Sequence, residues 1–365
     1  MTANEKLRDL ILSHQIGINR LANREVRRVL SILARIEREL VRVAGSLPLG
    51  VGSYRLELLL GELQRIIPET YAELHGYLRE RLVELGTAES QIARELLRQA
   101  VPREVRFLLA GEAELPRAFL VHLARSRPFQ GKLLHNWARR LEAITRRAVA
   151  GVIREGIREG MSIPQIVRLI RGTRANGYTD GVLALGRRQA EAVARSAVQH
   201  VMQGARVKTY QESGVVKGYQ WLSTLDLRTT LEYCVPRDHL VWDLHFSPVG
   251  HEFTWGGGPG RIHWNCRSSN TAVLKSWRDL GVDKDELPPS ARASMDGKVA
   301  GTTTAEDWLK RQLTDPGRRA QLVATWGKER VELFESGRLG IADMVKHDGG
   351  LIRLRDLRRL YGLAP

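Results

Sequence analysis

The sequence predicts a mainly α-helical protein that contains one small α+β domain. Apolar residues recur at steps of three and four positions through most of the first 160 residues, which is the period of an amphipathic helix. The run 182–212 lacks proline and is rich in alanine, arginine, valine and glutamine, which favours one long helix. Residues 215–270 depart from this pattern, because a β-branched and aromatic segment precedes a glycine- and proline-rich one.

The first two helical stretches follow from this apolar spacing. Residues 5–44 form an amphipathic helix or a broken pair of helices, which ends in the segment Gly45–Gly52 (GSLPLGVG). A second stretch begins at Tyr54 and is predicted to be interrupted near Pro68, because proline lacks the amide proton that an inner helical turn needs.

Two further helices complete a helical N-terminal region, residues 1–154. Thr87, with Glu89 in the following turn, predicts the start of a third helix near residues 88–110. A fourth helix is predicted over residues 137–159. Long arginine-bearing helices of this kind form a bundle or dock on a large partner, and both interpretations stay open.

The middle of the chain carries the predicted α+β domain. Ser162 and Gln165 form a capping-box pair, so a short helix begins at residue 163 and ends at Gly172. The long helix 182–212 then feeds into a strand over residues 215–224. Further helical patterns follow in a C-terminal tail, at residues 305–312, 320–335, 341–345 and in the closing stretch LIRLRDLRRLYGL.

Rare residue types are dense in the segment from Tyr219 to Asn270. This segment contains both cysteines and four of the eight tryptophans. Cys234 and His239 give C-x4-H spacing, and His263 and Cys266 give H-x2-C spacing. Four such ligands suit tetrahedral zinc, although this is not a common zinc-finger spacing. The alternative is a packed core with two buried thiols.

The order of these motifs resembles the phage Mu F-like minor head proteins, also called head morphogenesis proteins. The resemblance is carried by WLSTLDLRTT, a cysteine a few residues later, a glycine/proline loop and HWNCRSS, with a helical lead-in before them and the tail ARASMDGKVAGTTTAEDWLKRQ after them. It covers about residues 155–340 and predicts regions 1–154, 155–280 and 281–365. It implies a structural cluster at Trp221, Asp226, Cys234, His263 and Cys266.

The resemblance implies a phage or prophage minor head protein that acts in procapsid assembly at the portal vertex and is packaged with the genome. The implied partners are the portal protein, the major capsid or scaffold protein and double-stranded DNA. The implied location is the inside of the virion head near the portal, and the host cytoplasm during assembly. No enzymatic activity is expected. The alternative is a toxin- or nuclease-type enzyme that uses the Cys/His cluster, because the same domain type also occurs joined to toxin effector domains.

Catalytic motifs are incomplete in the sequence. Asp238 and His239 are similar to the start of an HNH nuclease motif, but the next histidine after His263 is His347. A nucleophilic pair of Cys234 or Cys266 with His263 would need a lowered thiol pKa and an open cleft. The loop WGGGPG lacks the Gly-Lys-Ser/Thr of a phosphate-binding loop.

Composition limits the remaining function classes. The net charge is +16, and residues 1–150 carry 25 basic and 17 acidic side chains, so each part of the chain holds +8. Arginine forks match phosphates, which makes DNA a candidate partner. We expect a protein of a reducing cytoplasm without membrane contact, because there are only two cysteines and no apolar run of ~20 residues.

Overall fold

The computed structural model describes residues 3–47, 52–109, 114–227, 229–251, 263–282, 292–346 and 351–363. The protein is mainly helical with a small antiparallel sheet, as the sequence predicts. The chain forms two compact units, and both are discontinuous. The sheet unit comprises Met1–Asn19, Thr87–Leu115 and Met202–Pro365, and the helical unit comprises Arg20–Gly86 and Pro116–Val201. The predicted boundaries after residues 154 and 280 stay predictions.

The N-terminal region contains two helices that are longer than predicted. Helix α1 runs unbroken over Ala3–Ser46, and α2 runs over Gly52–Ala100 with Pro68 inside it. The predicted breaks at Pro68 and Thr87 are therefore wrong. Buried apolar residues continue on both sides of each position, so packing outweighs the local cost of the proline and the capping preference of the threonine.

The helical unit is completed by three shorter helices and the first part of α6. These are α3 (Arg117–Arg125), α4 (Leu134–Arg158), α5 (Ile163–Arg171) and α6 (Leu183–Glu212). Helix α4 packs against both α3 and α5. The predicted capping box is confirmed, since the backbone amide of Ser162 donates to Gln165 Oε1 over 2.7 Å.

The sheet unit is built around four antiparallel strands. They are β1 (Val216–Leu222), β2 (Val241–Asp243), β3 (Pro248–Val249) and β4 (Ser269–Leu274), and their order is β3-β2-β1-β4. The central strand β1 pairs with both neighbours, so that Tyr219 lies opposite Trp242 on one side and Ala272 on the other. The strand predicted over residues 215–224 is therefore confirmed.

Gly218 occupies a position in β1 where the neighbouring backbone leaves no room for a side chain. A Cβ atom there would lie 2.4 Å from the carbonyl oxygen of Trp242. We expect Gly218→Ala to lower the free energy of unfolding by about 1 to 3 kcal/mol, because the two strands must separate locally. Urea denaturation measures the change.

Gly61 provides the matched control for this substitution. It lies inside α2, and a Cβ there meets nothing within 4 Å. Gly61→Ala is expected to raise the free energy of unfolding by about 0.5 to 1 kcal/mol, because glycine is the poorer helix former. Equal stability of Gly218→Ala and the wild-type protein would contradict the close approach of β1 and β2.

The core of the sheet unit joins residues that are distant in the sequence. Leu7 and Ile11 of α1 and Leu97 of α2 are buried together with the apolar face of the sheet. The sheet contributes buried side chains to this core, among them Tyr219, Trp221, Trp242, Ala272 and Leu274. The C-terminal sheet and the N-terminal helices therefore share one hydrophobic core.

The C-terminal tail forms a second core within the sheet unit. A hairpin of β5 (Arg292–Ser294) and β6 (Gly297–Val299) precedes four helices. The predicted helix over 305–312 is confirmed. The helices are α7 (Ala305–Gln312), α8 (Pro316–Trp326), α9 (Lys328–Glu335) and α10 (Leu354–Tyr361). Their apolar sides meet around Trp308, Leu322, Phe334 and Leu357.

The predicted glycine- and proline-rich loop falls largely on residues 252–262, which lie outside the described residues. Among the helices in the described ranges, none has an apolar stretch of the length that crossing a bilayer requires.

Candidate metal centre

Cys234 lies in a tight turn that follows β1. The Cys234 amide donates to the Thr230 carbonyl over 3.1 Å, and a 3-10 turn, Val235–Arg237, comes directly after it. Ser223, just beyond the end of β1, donates its hydroxyl to the Cys234 carbonyl over 2.6 Å. The turn is thus fixed to the strand, and the Cys234 side chain is buried.

His263 and Cys266 come together through a second turn, which leads into β4. The Cys266 amide donates to the His263 carbonyl over 3.4 Å. Asn265 adopts a left-handed backbone conformation with φ 57°, and asparagine tolerates that conformation better than most residues. The spacing His-Trp-Asn-Cys therefore places the imidazole and the second thiol on one side of the turn.

The three side chains form one compact cluster. The Cys234 Sγ atom lies 3.1 Å from His263 Nε2 and 3.8 Å from Cys266 Sγ. All three candidate ligand atoms lie within 4.8 Å of one another. Neither cysteine forms a disulfide, both are buried, and His263 is half-buried. The cluster could hold a metal ion.

The donor set and its geometry fit zinc. Two sulfur atoms that are each about 2.3 Å from a tetrahedral zinc ion lie about 3.8 Å apart, and the two cysteine Sγ atoms are 3.8 Å apart. His263 Nδ1 donates to the backbone carbonyl of Trp264 over 2.8 Å, which leaves the lone pair on Nε2 for a metal. Cys234, His263 and Cys266 would hold the ion, which would act as a cross-link between the two turns.

Arg237 is the charged neighbour of this cluster. It is fully buried, and its guanidinium lies 5.9 Å from the ring centroid of Trp221 and donates to the Tyr233 carbonyl over 3.2 Å. Burial lowers the pKa of Arg237, while the charges of Cys234 and Cys266 act in the opposite direction. Arg237 therefore contributes a buried polar side chain beside the thiols and is not one of the ligands.

The protonation of Cys234 argues against a catalytic nucleophile. The distance of 3.1 Å to His263 would suit a Cys-His pair. However, burial raises the pKa of the Cys234 thiol, and the adjacent Cys266 raises it further. Only 2% of Cys234 is exposed. A reactive cysteine needs both a lowered pKa and access to its substrate.

The other predicted ligand, His239, is not part of this cluster. His239 has φ 65°, its amide donates to the Trp221 carbonyl over 2.9 Å, and its own carbonyl accepts from Gln220. Another histidine between the two cysteines, His251, lies outside the cluster as well, and its Nε2 donates to the Val241 carbonyl over 2.7 Å. The structure therefore brings together three of the four predicted ligands.

The two remaining residues of the predicted structural cluster support the surrounding turns. Trp221 is fully buried, and its indole nitrogen donates to Ser223 Oγ over 3.2 Å. Asp226 accepts from Arg267 over 2.7 Å and from the Thr229 hydroxyl over 3.1 Å, as expected for a turn residue. Arg267 directly follows Cys266, so this ion pair links the first turn region to the second.

Asp238 has a structural position as well. Its two carboxylate oxygens accept from the backbone amides of Ser223 and Ala305, each over 2.8 Å. Ala305 is the first residue of α7, where free amide protons favour a carboxylate. Asp238 also lines a cleft of ≈ 410 Å³ together with Thr304, Glu306 and Lys346.

Comparisons with known proteins add no relative. No family model, curated protein or solved structure matches this chain. The resemblance to the Mu F-like minor head proteins therefore depends on the quoted motifs alone.

Arg237 and Ser223 are two further parts of the site, and no motif in the sequence indicates them. Arg237 follows Cys234 by three positions, a spacing that places both on one side of a helical turn, and this was the available signal. Ser223 lies within the quoted motif WLSTLDLRTT, but its contact with the Cys234 carbonyl has no signature in spacing.

Proposed function

We propose that this chain is a minor head protein of a phage or prophage, which acts in procapsid assembly at the portal vertex and is packaged with the genome. The observation that supports this proposal is the convergence of the family-like motifs on one buried cluster. WLSTLDLRTT supplies Trp221 and Asp226, and HWNCRSS supplies His263 and Cys266 beside Cys234.

The properties of the cluster favour a structural role over an enzymatic one. Both thiols are buried, and the carboxylates of Asp226 and Asp238 are engaged by nearby donors. Zinc held by Cys234, His263 and Cys266 would stabilise a domain of modest core size. The toxin- or nuclease-type alternative is favoured only by the short distance from Cys234 to His263, and burial of that thiol opposes it.

The portal protein is the proposed primary partner, and the major capsid or scaffold protein is a further one. The proposed location is the inside of the head near the portal, with the host cytoplasm as the site of assembly. These assignments follow from the motif resemblance, and the long helices α1 and α2 offer extended surfaces for such contacts.

Assembly of head particles tests the proposal. We expect the protein to co-sediment with proheads made from the capsid, scaffold and portal proteins of the same phage, at a few copies per particle. Proheads assembled without the portal should lack it, because the proposed contact lies at the portal vertex. Gel densitometry of gradient-purified particles measures the incorporation.

A capsid-sized protein that is unrelated to phage heads controls for trapping inside the shell. Incorporation at that control level, or the same incorporation with and without the portal, would contradict a function at the portal vertex.

A further inference from the structure

The positive charge of the chain is concentrated on one short segment. Residues 117–158 contain ten arginine or lysine side chains and two glutamates, which leaves +8 of the total +16. Residues 1–116 contain 17 basic and 16 acidic side chains, a net charge of only +1. Dividing the net charge at residue 150 gives equal halves and so conceals this basic segment. The segment coincides with α3 and α4 of the helical unit.

The arginines of α4 form a continuous stripe. Arg140, Arg147, Arg154 and Arg158 are all exposed and follow one another at steps of seven, seven and four. With 100° and 1.5 Å per residue, they lie within about 40° of one another along about 27 Å of helix. Arg139 and Arg146 add a second, adjacent row. We call the four residues of the first row the arginine stripe.

Most of these cations have no carboxylate partner. Arg146 pairs with Glu142, and Arg158 pairs with Glu155. The other exposed arginines of this segment form no ion pair within the part of the chain that the structure describes; they are Arg117, Arg125, Arg127, Arg139, Arg140, Arg147 and Arg154. Mutual repulsion of so many unpaired charges costs stability, which favours a role outside the isolated fold.

A second observation shows that the charges of several helices converge. Burial lowers the pKa of His75 in α2, and nearby Arg79, His135, Arg125 and Arg139 lower it further. These residues belong to α2, α3 and α4 of the helical unit, so the positive potential extends across three helices.

The composition of the surface selects the kind of partner. Residues 117–158 are all described, and they include no exposed large hydrophobic side chain. Insertion into a lipid surface needs such side chains, and single-stranded nucleic acid needs exposed aromatic rings for stacking. The phosphate backbone of a duplex needs neither of them. A duplex presents regularly spaced phosphates, which arginine binds through two parallel hydrogen bonds.

We propose that the arginine stripe of α4, with the neighbouring arginines of α3, binds the phosphate backbone of double-stranded DNA without regard to base sequence. The stripe length of about 27 Å corresponds to about eight base pairs at 3.4 Å each. The choice of DNA as the duplex rests on the proposed head function. The surface itself follows from the charges of the helical unit, which lies mostly outside the region that carries the motif resemblance.

Binding of a 30-base-pair duplex by the purified full chain tests the proposal, with fluorescence anisotropy at salt concentrations from 50 to 300 mM. The test variant combines Arg140→Gln, Arg147→Gln, Arg154→Gln and Arg158→Gln. We expect at least about tenfold weaker binding near 150 mM salt, and a salt slope that is smaller by about 3.6, from 0.9 for each lost phosphate contact. Glutamine preserves the helix propensity of arginine, and circular dichroism checks the fold.

The control variant removes an equal number of positive charges, four, from exposed positions of the sheet unit. It combines Arg311→Gln, Arg338→Gln, Arg355→Gln and Arg359→Gln. It is expected to weaken binding by no more than about twofold, because the proposal gives these four residues no phosphate contact and salt screens charges that make none. If the stripe variant does not fold, the milder pair Arg147→Gln and Arg154→Gln replaces it, with an expected slope change of about 1.8.

Three results would overturn the proposal. The first is an equal loss of duplex affinity in the two quadruple variants, and the second is no duplex binding by the wild-type protein at 50 mM salt. The third is that the stripe variant binds duplex as the wild-type protein does but loses binding to phosphatidylserine–phosphatidylcholine vesicles. Failure here is distinguishable from failure of the head function, because incorporation into proheads is measured on assembled particles and needs no DNA.

Discussion

Glu89→Ala is expected to lower the free energy of unfolding by about 3 to 5 kcal/mol, because it leaves a buried arginine without its counter-ion. Glu89 and Arg206 are both fully buried, and Arg206 Nε donates to Glu89 Oε1 over 2.6 Å. Burial opposes the charged form of Arg206, but the attraction and hydrogen bond of Glu89, together with Tyr210, outweigh it and raise the pKa of Arg206. Urea denaturation followed by circular dichroism measures the loss.

The contacts around this pair explain why the loss is large. Arg206 Nη1 also donates to the Ser269 hydroxyl over 2.6 Å, and the other Glu89 oxygen lies 2.6 Å from His14 Nε2. The pair therefore ties α1, α2 and α6 to strand β4 inside the sheet unit. An isolated guanidinium at this depth has no water to replace the carboxylate.

Glu212→Ala is the matched control for Glu89→Ala. Glu212 pairs with Lys208 on the same helix as Arg206, but 44% of the Glu212 side chain is exposed. We expect a change below about 1 kcal/mol, the usual value of a surface ion pair. A loss of similar size in the two variants would contradict a special role for the buried pair.

Removal of metal is expected to produce the second large effect. Elemental analysis of the purified protein should find about one zinc per chain, and a chelator should lower the melting temperature. A metal present at a thousand times its dissociation constant stabilises the folded state by about 4 kcal/mol, which corresponds to about 8 to 16 °C for a domain of this size. The cluster Cys234, His263 and Cys266 is the predicted site.

Two variants separate the ligands from their neighbours. Cys266→Ser should lose the zinc and become insensitive to the chelator. His239→Asn should retain both properties, because His239 lies outside the cluster and asparagine tolerates its φ of 65°. If the purified protein contains no zinc and the chelator does not change the melting temperature, the cluster is an ordinary buried core. Loss of zinc in His239→Asn would show that His239 is a fourth ligand, as the sequence predicts.

Local patterns predicted most of the secondary structure. The spacing of apolar residues was sufficient for α4, and it located α1 without deciding whether that helix is broken. The proline-free composition was sufficient for α6, and the β-branched segment was sufficient for β1. Local patterns failed inside α2, where Pro68 and Thr87 carry typical breaking and capping signals. Burial of the residues on both sides decides those positions, and burial depends on partners that no local window contains.

The role of Glu89 shows the same limit at the level of one residue. Its position after Thr87 suggests a first-turn carboxylate, but its partner Arg206 is 117 positions away. The predicted division into regions 1–154 and 155–280 implies that a fragment without residues 1–150 folds alone. The structure argues against this, because such a fragment would lose Glu89 and the buried residues Leu7, Ile11 and Leu97.

The candidate site was predictable to a similar extent. Rare residue types and the H-x2-C spacing identify Cys234, His263 and Cys266, because those residues have few other reasons to occur so close together. They do not separate His239 from true ligands, since only the turn geometry shows which imidazole reaches the thiols. The basic surface of α4 became apparent only when helix boundaries defined the segment over which charge should be counted.

The shared core of the sheet unit has a consequence for synthesis of the chain. Leu7 and Ile11 are synthesised well before the sheet that covers them, which begins at Val216. At about 5 to 20 residues per second, the intervening ~200 residues take roughly 10 to 40 s to be made. During that interval the apolar side chains of Leu7 and Ile11 are exposed to water, so the nascent chain needs protection by a chaperone or by transient contacts with its own residues.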